Sequence, residues 1–267
     1  MTNLQIMILA AIQGFTEFLP VSSSGHLILL SKLTSFPDQG LEIDVAVHVG
    51  SILAVMIYFY KDILAMIYGL LGCISKKFSQ YNTKLFLMLV VGTIPAVIFG
   101  LLLHSYGMEW LRNTKIIGWN ILIFGILLGW ADKHFLSTRS LQDMKISDAL
   151  IIGFAQCLAM IPGTSRSGVT ITVSRILKIS RREAARFCML LSVPAITGAG
   201  LLVGYEMYQT GNSNLVYAAS GVGYSFIASL LAIWIMMSWL KTRTFLPFVI
   251  YRVVLGLFLL LHGYGLI

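Results

Sequence analysis

Two apolar stretches of this chain are interrupted by proline, glycine and serine: Leu4 to Leu33 breaks at Pro20-Val21-Ser22-Ser23-Ser24-Gly25, and Asp148 to Leu177 breaks at Pro162-Gly163-Thr164-Ser165-Arg166-Ser167-Gly168. Irregular backbone surrounded by hydrocarbon leaves its amides without water, so it is tolerated only where protein or a wet cavity satisfies them. Both segments are therefore expected to fold back as re-entrant helical hairpins that share one polar cavity. The reading requires a membrane, and the composition calls for one. With 57% hydrophobic and 11% charged residues and a mean hydropathy of +0.85 over 267 residues, a soluble domain is excluded. Apolar runs long enough to span lie at about 44–60, 85–104, 116–131, 184–205, 216–240 and 246–267. The expected fold is an all-α polytopic membrane protein of about six transmembrane helices plus the two hairpins. Leu4 to Leu19 has neither a basic flank nor a small-residue cleavage site and reads as mature protein.

The two breaks resemble each other. Gly14-Phe15-Thr16-Glu17-Phe18-Leu19 precedes the first and Gly153-Phe154-Ala155-Gln156-Cys157-Leu158 precedes the second. A hairpin leaves and returns on one face, so each half of the chain contributes three crossings and the second half is inverted relative to the first. The expectation is a single integral membrane domain over 1–267, an inverted-topology repeat with halves of about 1–131 and 148–267, and a site between them.

The basic residues test this topology. Lys61, Lys76, Lys77 and Lys84, then Lys133, Arg139 and Lys145, then Lys241 and Arg243 fall in loops that the reading places on one side; Arg175, Lys178, Arg181, Arg182 and Arg186 join them at the base of the second hairpin. Lys32, Arg112 and Lys115 fall on the other side, while Arg166 and Arg252 sit at membrane depth. By the positive-inside rule the fourteen are cytoplasmic, both termini face outward, and the hairpins enter from opposite faces to meet near the midplane. The net charge of +8 comes from these loops, and no basic patch interleaved with aromatics argues for nucleic acid. Cys73, Cys157 and Cys188 have no paired spacing that would indicate a disulfide framework or a zinc site.

Glu17 is the one acidic residue well inside an apolar segment, and an intramembrane carboxylate is functional by default. Ser22, Ser23, Ser24 and His26 follow it within ten residues; on a helix Ser22 and Ser23 would share a face with His26, which could serve as general acid or base. Arg166, flanked by hydroxyls and glycines, has the composition of a phosphate cradle. Gly163 to Thr170 approaches a P-loop, but Val169 stands where the lysine belongs and no strand precedes it, so a nucleotide-hydrolysing domain is not indicated.

Gln13-Gly14-Phe15-Thr16-Glu17-Phe18-Leu19-Pro20-Val21-Ser22-Ser23-Ser24-Gly25-His26 and Pro162-Gly163-Thr164-Ser165-Arg166-Ser167-Gly168-Val169-Thr170 resemble the two signatures of the undecaprenyl-diphosphate phosphatase family, also called the bacitracin-resistance protein family. The resemblance extends over essentially the whole chain. It implies a multi-pass enzyme of the cell (inner) membrane, with its active site opening to the outer face. Such an enzyme hydrolyses the terminal phosphate of undecaprenyl diphosphate, regenerates undecaprenyl phosphate for cell-wall synthesis and confers bacitracin resistance. It also implies a divalent cation, Mg2+ or Ca2+. Gln13 stands where the acidic version of the first signature has a carboxylate, so the metal is expected on Glu17 alone.

Combining both readings, Glu17, Ser23, His26 and Arg166 are the expected catalytic residues, with Ser23 as nucleophile and His26 handling its proton; attack by activated water stays open. Ser22, Ser24, Gly163, Ser165, Ser167, Thr170 and Arg252 are expected to bind the polyprenyl diphosphate, and a homodimer is left open. A rival reading is an inverted-repeat transporter or flippase that moves polyprenyl phosphate without cleaving it. The type 2 phosphatidic acid phosphatase pattern, suggested by Ser24-Gly25-His26 and Ser165-Arg166, fails because Thr172 stands where it needs a histidine.

Overall fold

The computed structural model describes residues 2–34, 40–75, 80–104, 111, 113–210 and 215–266. Of the basic residues used above, Lys76, Lys77 and Arg112 lie outside the described residues, as does the side chain of Lys32. Eleven α-helices account for most of the described chain: α1 (Asn3–Phe18), α2 (Ser23–Leu33), α3 (Gly40–Tyr58), α4 (Tyr60–Ser75), α5 (Gln80–His104), α6 (Thr114–His134), α7 (Ile146–Cys157), α8 (Arg166–Ile176), α9 (Arg181–Thr210), α10 (Leu215–Trp239) and α11 (Leu246–Gly263). Among the described residues the β structure amounts to an isolated bridge between Arg139 and Ile179.

Among the described residues, four helical stretches are long and apolar enough to cross a membrane: Tyr81–Leu103, Thr114–His134, Tyr217–Trp239 and Leu246–Gly263. They correspond to four of the six expected spans. The run expected at 44–60 is instead part of a bent pair, Ile43–Tyr58 and Tyr60–Ile74, which meet at 88°. The run at 184–205 lies inside the 30-residue α9.

Both interrupted segments are helix pairs whose members pack on each other, α1 on α2 and α7 on α8. The sequence explains where each stops. A residue before proline is pushed out of the helical region, and Leu19 before Pro20 is extended (φ −69°, ψ 141°), as is Ile161 before Pro162 (φ −79°, ψ 119°). Each chain then restarts on a serine with positive φ, Ser22 at 76° and Ser165 at 72°. Each of these serines caps the helix that follows: Ser22 Oγ accepts from the Gly25 amide, and Ser165 Oγ from the Gly168 amide.

Small residues let the first helix of each pair approach its neighbour closely. A Cβ on Gly14 would lie 2.7 Å from the Ser225 carbonyl of α10, and one on Gly153 would lie 2.5 Å from the Gly92 carbonyl of α5. Beside Gly14 a buried seam of hydroxyls joins α1, α3 and α10: Ser51 and Ser225 are 2.9 Å apart, and Ser229 donates to the Gly14 carbonyl at 3.2 Å.

The basic loops cluster through contacts of their own. Buried Arg175 and half-buried Arg181 both bond Asp132, whose other oxygen accepts from the Phe245 amide. Arg186 pairs with Asp62 and Glu183, Arg139 with Asp148, and Lys84 donates to the Gln142 carbonyl at 2.6 Å. Lys115 lies elsewhere, 4.5 Å over the Tyr264 ring near the end of α11.

Candidate functional site

The two breaks are stitched together by backbone acceptors. Arg252 of α11 is fully buried and spends its guanidinium on carbonyls from three places: Pro20 in the first break, Gly163 and Thr164 in the second, and Asn120 and Ile121 of α6. Ser167 Oγ donates to the Leu19 carbonyl at 2.9 Å, crossing from the second segment to the first. Gly163 has φ +92°, and a Cβ there would lie 2.6 Å from the Ile117 carbonyl, so both its conformation and its space require glycine.

This arrangement puts Glu17 and Arg166 in contact. Arg166 Nη2 donates to Glu17 Oε1 at 2.6 Å, while Glu17 Oε2 accepts from Ser23 Oγ at 2.7 Å and from Gln13 Nε2 at 2.8 Å. His48 of α3 brings its Nε2 to 3.7 Å from the same oxygen, held by its Nδ1 donating to the Asp44 carbonyl at 2.7 Å. The pair borders a cavity of about 730 Å3 whose polar lining includes Glu17, Ser23, Ser24, His48, Gln156, Ser165 and Arg166. Ser23 and Ser24 begin α2, and Arg166 begins α8. Two helix N-termini therefore open on one space, where first-turn amides without intrahelical acceptors favour an anion. The other walls are apolar. Val97 and Leu101 of α5 and Ala195 and Ile196 of α9 are among them.

Not every expected site residue reaches the cavity. Ser22 is buried and serves as a cap. Ser167 bonds the Leu19 carbonyl, and buried Thr170 turns its hydroxyl back to the Arg166 carbonyl at 2.8 Å and to Cys188 Sγ at 3.0 Å. Gly163 and Arg252 hold backbone to backbone, so in this structure these five build the site's walls and do not line the space. His26 also departs from expectation. Its Nδ1 sits 2.7 Å from the Ser22 carbonyl, which can only accept, so that nitrogen carries a proton; Nε2 meets the Tyr251 hydroxyl at 2.6 Å. The ring lines a second, mostly apolar cavity of about 520 Å3 with Phe15, Phe248 and Tyr251, and both its nitrogens are engaged away from Ser23. Sequence reasoning did not single out His48, which comes from the apolar α3 and carries no motif, nor Gln156, although the resemblance of Gly153–Leu158 to Gly14–Leu19 sets it opposite Glu17.

Among the described residues, four side chains here have buried polar atoms without a protein partner: Gln13 Oε1, Thr164 Oγ1, Arg166 Nη1 and both amide atoms of Gln156. The first bears on the implied cation. Gln13 Oε1 is an oxygen donor beside Glu17 and the Ser23 hydroxyl, a donor set that suits a hard divalent ion. Among the described residues no group of three His, Cys, Asp or Glu side chains is placed to hold a metal. The residues fit an ion carried by one carboxylate, an amide and phosphate oxygens, the usual manner of Mg2+.

Fold and site together define a helical membrane protein in which two interrupted segments converge on a carboxylate–guanidinium pair at the edge of a mostly apolar cavity. The family model described as bacitracin resistance protein BacA matches residues 6–258. The undecaprenyl-diphosphatase of Roseobacter denitrificans is 46% identical over 269 residues, covering 99% of this chain and all of the relative. Those of Erythrobacter litoralis and Hahella chejuensis are 45% and 46% identical, each covering at least 97% of this chain and 99% of the relative. The chain belongs to the bacitracin resistance protein BacA family.

Proposed function

We propose that the chain dephosphorylates undecaprenyl diphosphate, returning undecaprenyl phosphate to carry further cell-wall units and depriving bacitracin of its lipid target. One observation carries this reading: the Glu17–Arg166 pair stands where two helix N-termini open on a cavity with apolar walls. The diphosphate head meets Arg166, Ser24, Ser165 and the first-turn amides of α2 and α8, while the polyprenyl tail leaves between α5 and α9 into the bilayer.

In the reaction, Ser23 Oγ attacks the terminal phosphorus and the bridging P–O bond breaks. Undecaprenyl phosphate leaves with the electron pair, and the serine proton passes to the Glu17 carboxylate to which it already donates. Water then cleaves the phosphoserine, releasing inorganic phosphate and restoring the serine hydroxyl. Arg166 stabilises charge on the phosphoryl oxygens in both steps. A divalent cation, Mg2+ or Ca2+, would be held by Glu17 and Gln13 Oε1 and would neutralise charge on the diphosphate.

The fold reading that goes with this is six crossings plus two re-entrant hairpins in an inverted repeat, at the inner membrane, with the site open to the outer face. It draws support from the matching Ser22 and Ser165 caps, the extended residues before Pro20 and Pro162, and the mutual contacts of the basic loops.

Hydrolysis and carriage are separated in proteoliposomes loaded with a polyprenyl diphosphate. Hydrolysis releases inorganic phosphate at a rate set by protein and cation concentration. Movement of intact diphosphate between leaflets without phosphate release would instead make the chain a carrier.

A further inference from the structure

Gln156 stands three residues after Gly153, as Glu17 stands three after Gly14, and both line the same cavity from the first helices of the two interrupted segments. Their surroundings differ. Glu17 is fully engaged by Arg166, Ser23 and Gln13. Gln156 is 3% exposed, and neither its amide nitrogen nor its amide oxygen has a protein partner. A buried primary amide left unpaired is costly, and natural cores rarely keep one without a ligand. Arg166, which lines the same cavity, also has a buried donor without a partner, Nη1, although Nη2 of that guanidinium is bonded to Glu17.

We propose that Gln156 is a phosphate-binding residue, its amide donating to a non-bridging oxygen of the group that Arg166 Nη1 also contacts. The pair forms a receptor on the wall contributed by the second segment, across from the Ser23 and Glu17 wall contributed by the first. A neutral amide suits this position. It adds a donor without the charge of a second cation, so the released phosphate is not trapped, and it avoids the repulsion that a second carboxylate would impose on an anion. The inference rests on the phosphatase reading above and adds one substrate-contacting side chain to it.

Gln156→Leu removes both amide groups at similar volume, and Gln156→Glu replaces the donor with a carboxylate. With purified protein and a polyprenyl diphosphate, Gln156→Leu is expected to raise KM about tenfold while kcat stays within about threefold. Gln156→Glu is expected to raise KM further. Direct binding of inorganic pyrophosphate to wild-type and variant protein should weaken by the same factor, and this readout needs no turnover. A purely structural amide would lower thermal stability and leave both KM and pyrophosphate affinity unchanged; that result in a folded variant overturns the proposal. If Gln156→Leu does not fold, Gln156→Asn, which keeps the amide but shortens its reach, gives the same pyrophosphate comparison. Wild-type protein that binds pyrophosphate through Gln156 but releases no phosphate from the lipid would sink the phosphatase reading and leave this assignment standing.

Discussion

Arg166 and Glu17 are 149 residues apart in the chain and 2.6 Å apart in the fold, one at the start of the helix after the second break and the other in the last turn of the helix before the first. Neither charge would be stable alone at this depth. Together they neutralise each other, and Arg166 keeps a second nitrogen, Nη1, unspent for an incoming anion.

Arg166→Ala should therefore reduce kcat by about 10³-fold or more, because it removes a preorganised cation from the transferring phosphoryl group. Arg166→Lys should recover little of this, since one ammonium cannot serve Glu17 and the substrate in the geometry of a planar fork. Phosphate release by a correctly inserted, purified variant checks both. Near wild-type turnover by Arg166→Ala would remove the arginine from the reaction.

Ser23→Ala should cost about 10³-fold or more in kcat and abolish any phosphorylated intermediate trapped by acid quench. The contrast with His26 is sharper. Because that ring is bonded to the Ser22 carbonyl and Tyr251, His26→Phe should lose about 1–2 kcal/mol of stability and only about tenfold of kcat. A loss as complete as that of Ser23→Ala would return the imidazole to proton transfer.

His26 shows what a sequence can and cannot convey here. It follows Ser23 by three residues, and helical spacing makes such neighbours share a face; yet its ring is claimed by a carbonyl four residues back and by a tyrosine 225 residues on. The breaks themselves were legible, because Pro20 and Pro162 stop helices by sterics that act locally, and the Glu17 and Arg166 charges stand out against apolar neighbours. Arg252 was legible as a buried cation but not in its role, since its acceptors are backbone carbonyls that leave no side-chain pattern. The 88° bend after Tyr58 was invisible because Tyr58-Phe59-Tyr60 contains neither glycine nor proline to mark it.

Gln13→Glu adds a carboxylate where an unpaired amide oxygen now lies beside Glu17. The half-saturating concentration of Mg2+ for phosphate release should fall about tenfold, as each added anionic ligand strengthens a hard-cation site. An unchanged cation dependence would take Gln13 out of the cation's reach.

Arg252→Met should destabilise the protein by about 3 kcal/mol or more, because it strands buried carbonyls of both breaks that now share one guanidinium. Thermal unfolding in detergent checks this. A midpoint unchanged from wild type would show that the breaks hold their positions without it.

That two distant segments form one catalytic unit is tested most directly by a double-mutant cycle on kcat/KM for a polyprenyl diphosphate, using Glu17→Gln, Arg166→Met and the pair together. Residues acting as one unit give non-additive losses, so the double variant should be about as impaired as the worse single variant. Losses that simply multiply would mean that Glu17 and Arg166 act independently, and that the convergence of the two segments is not what makes the site.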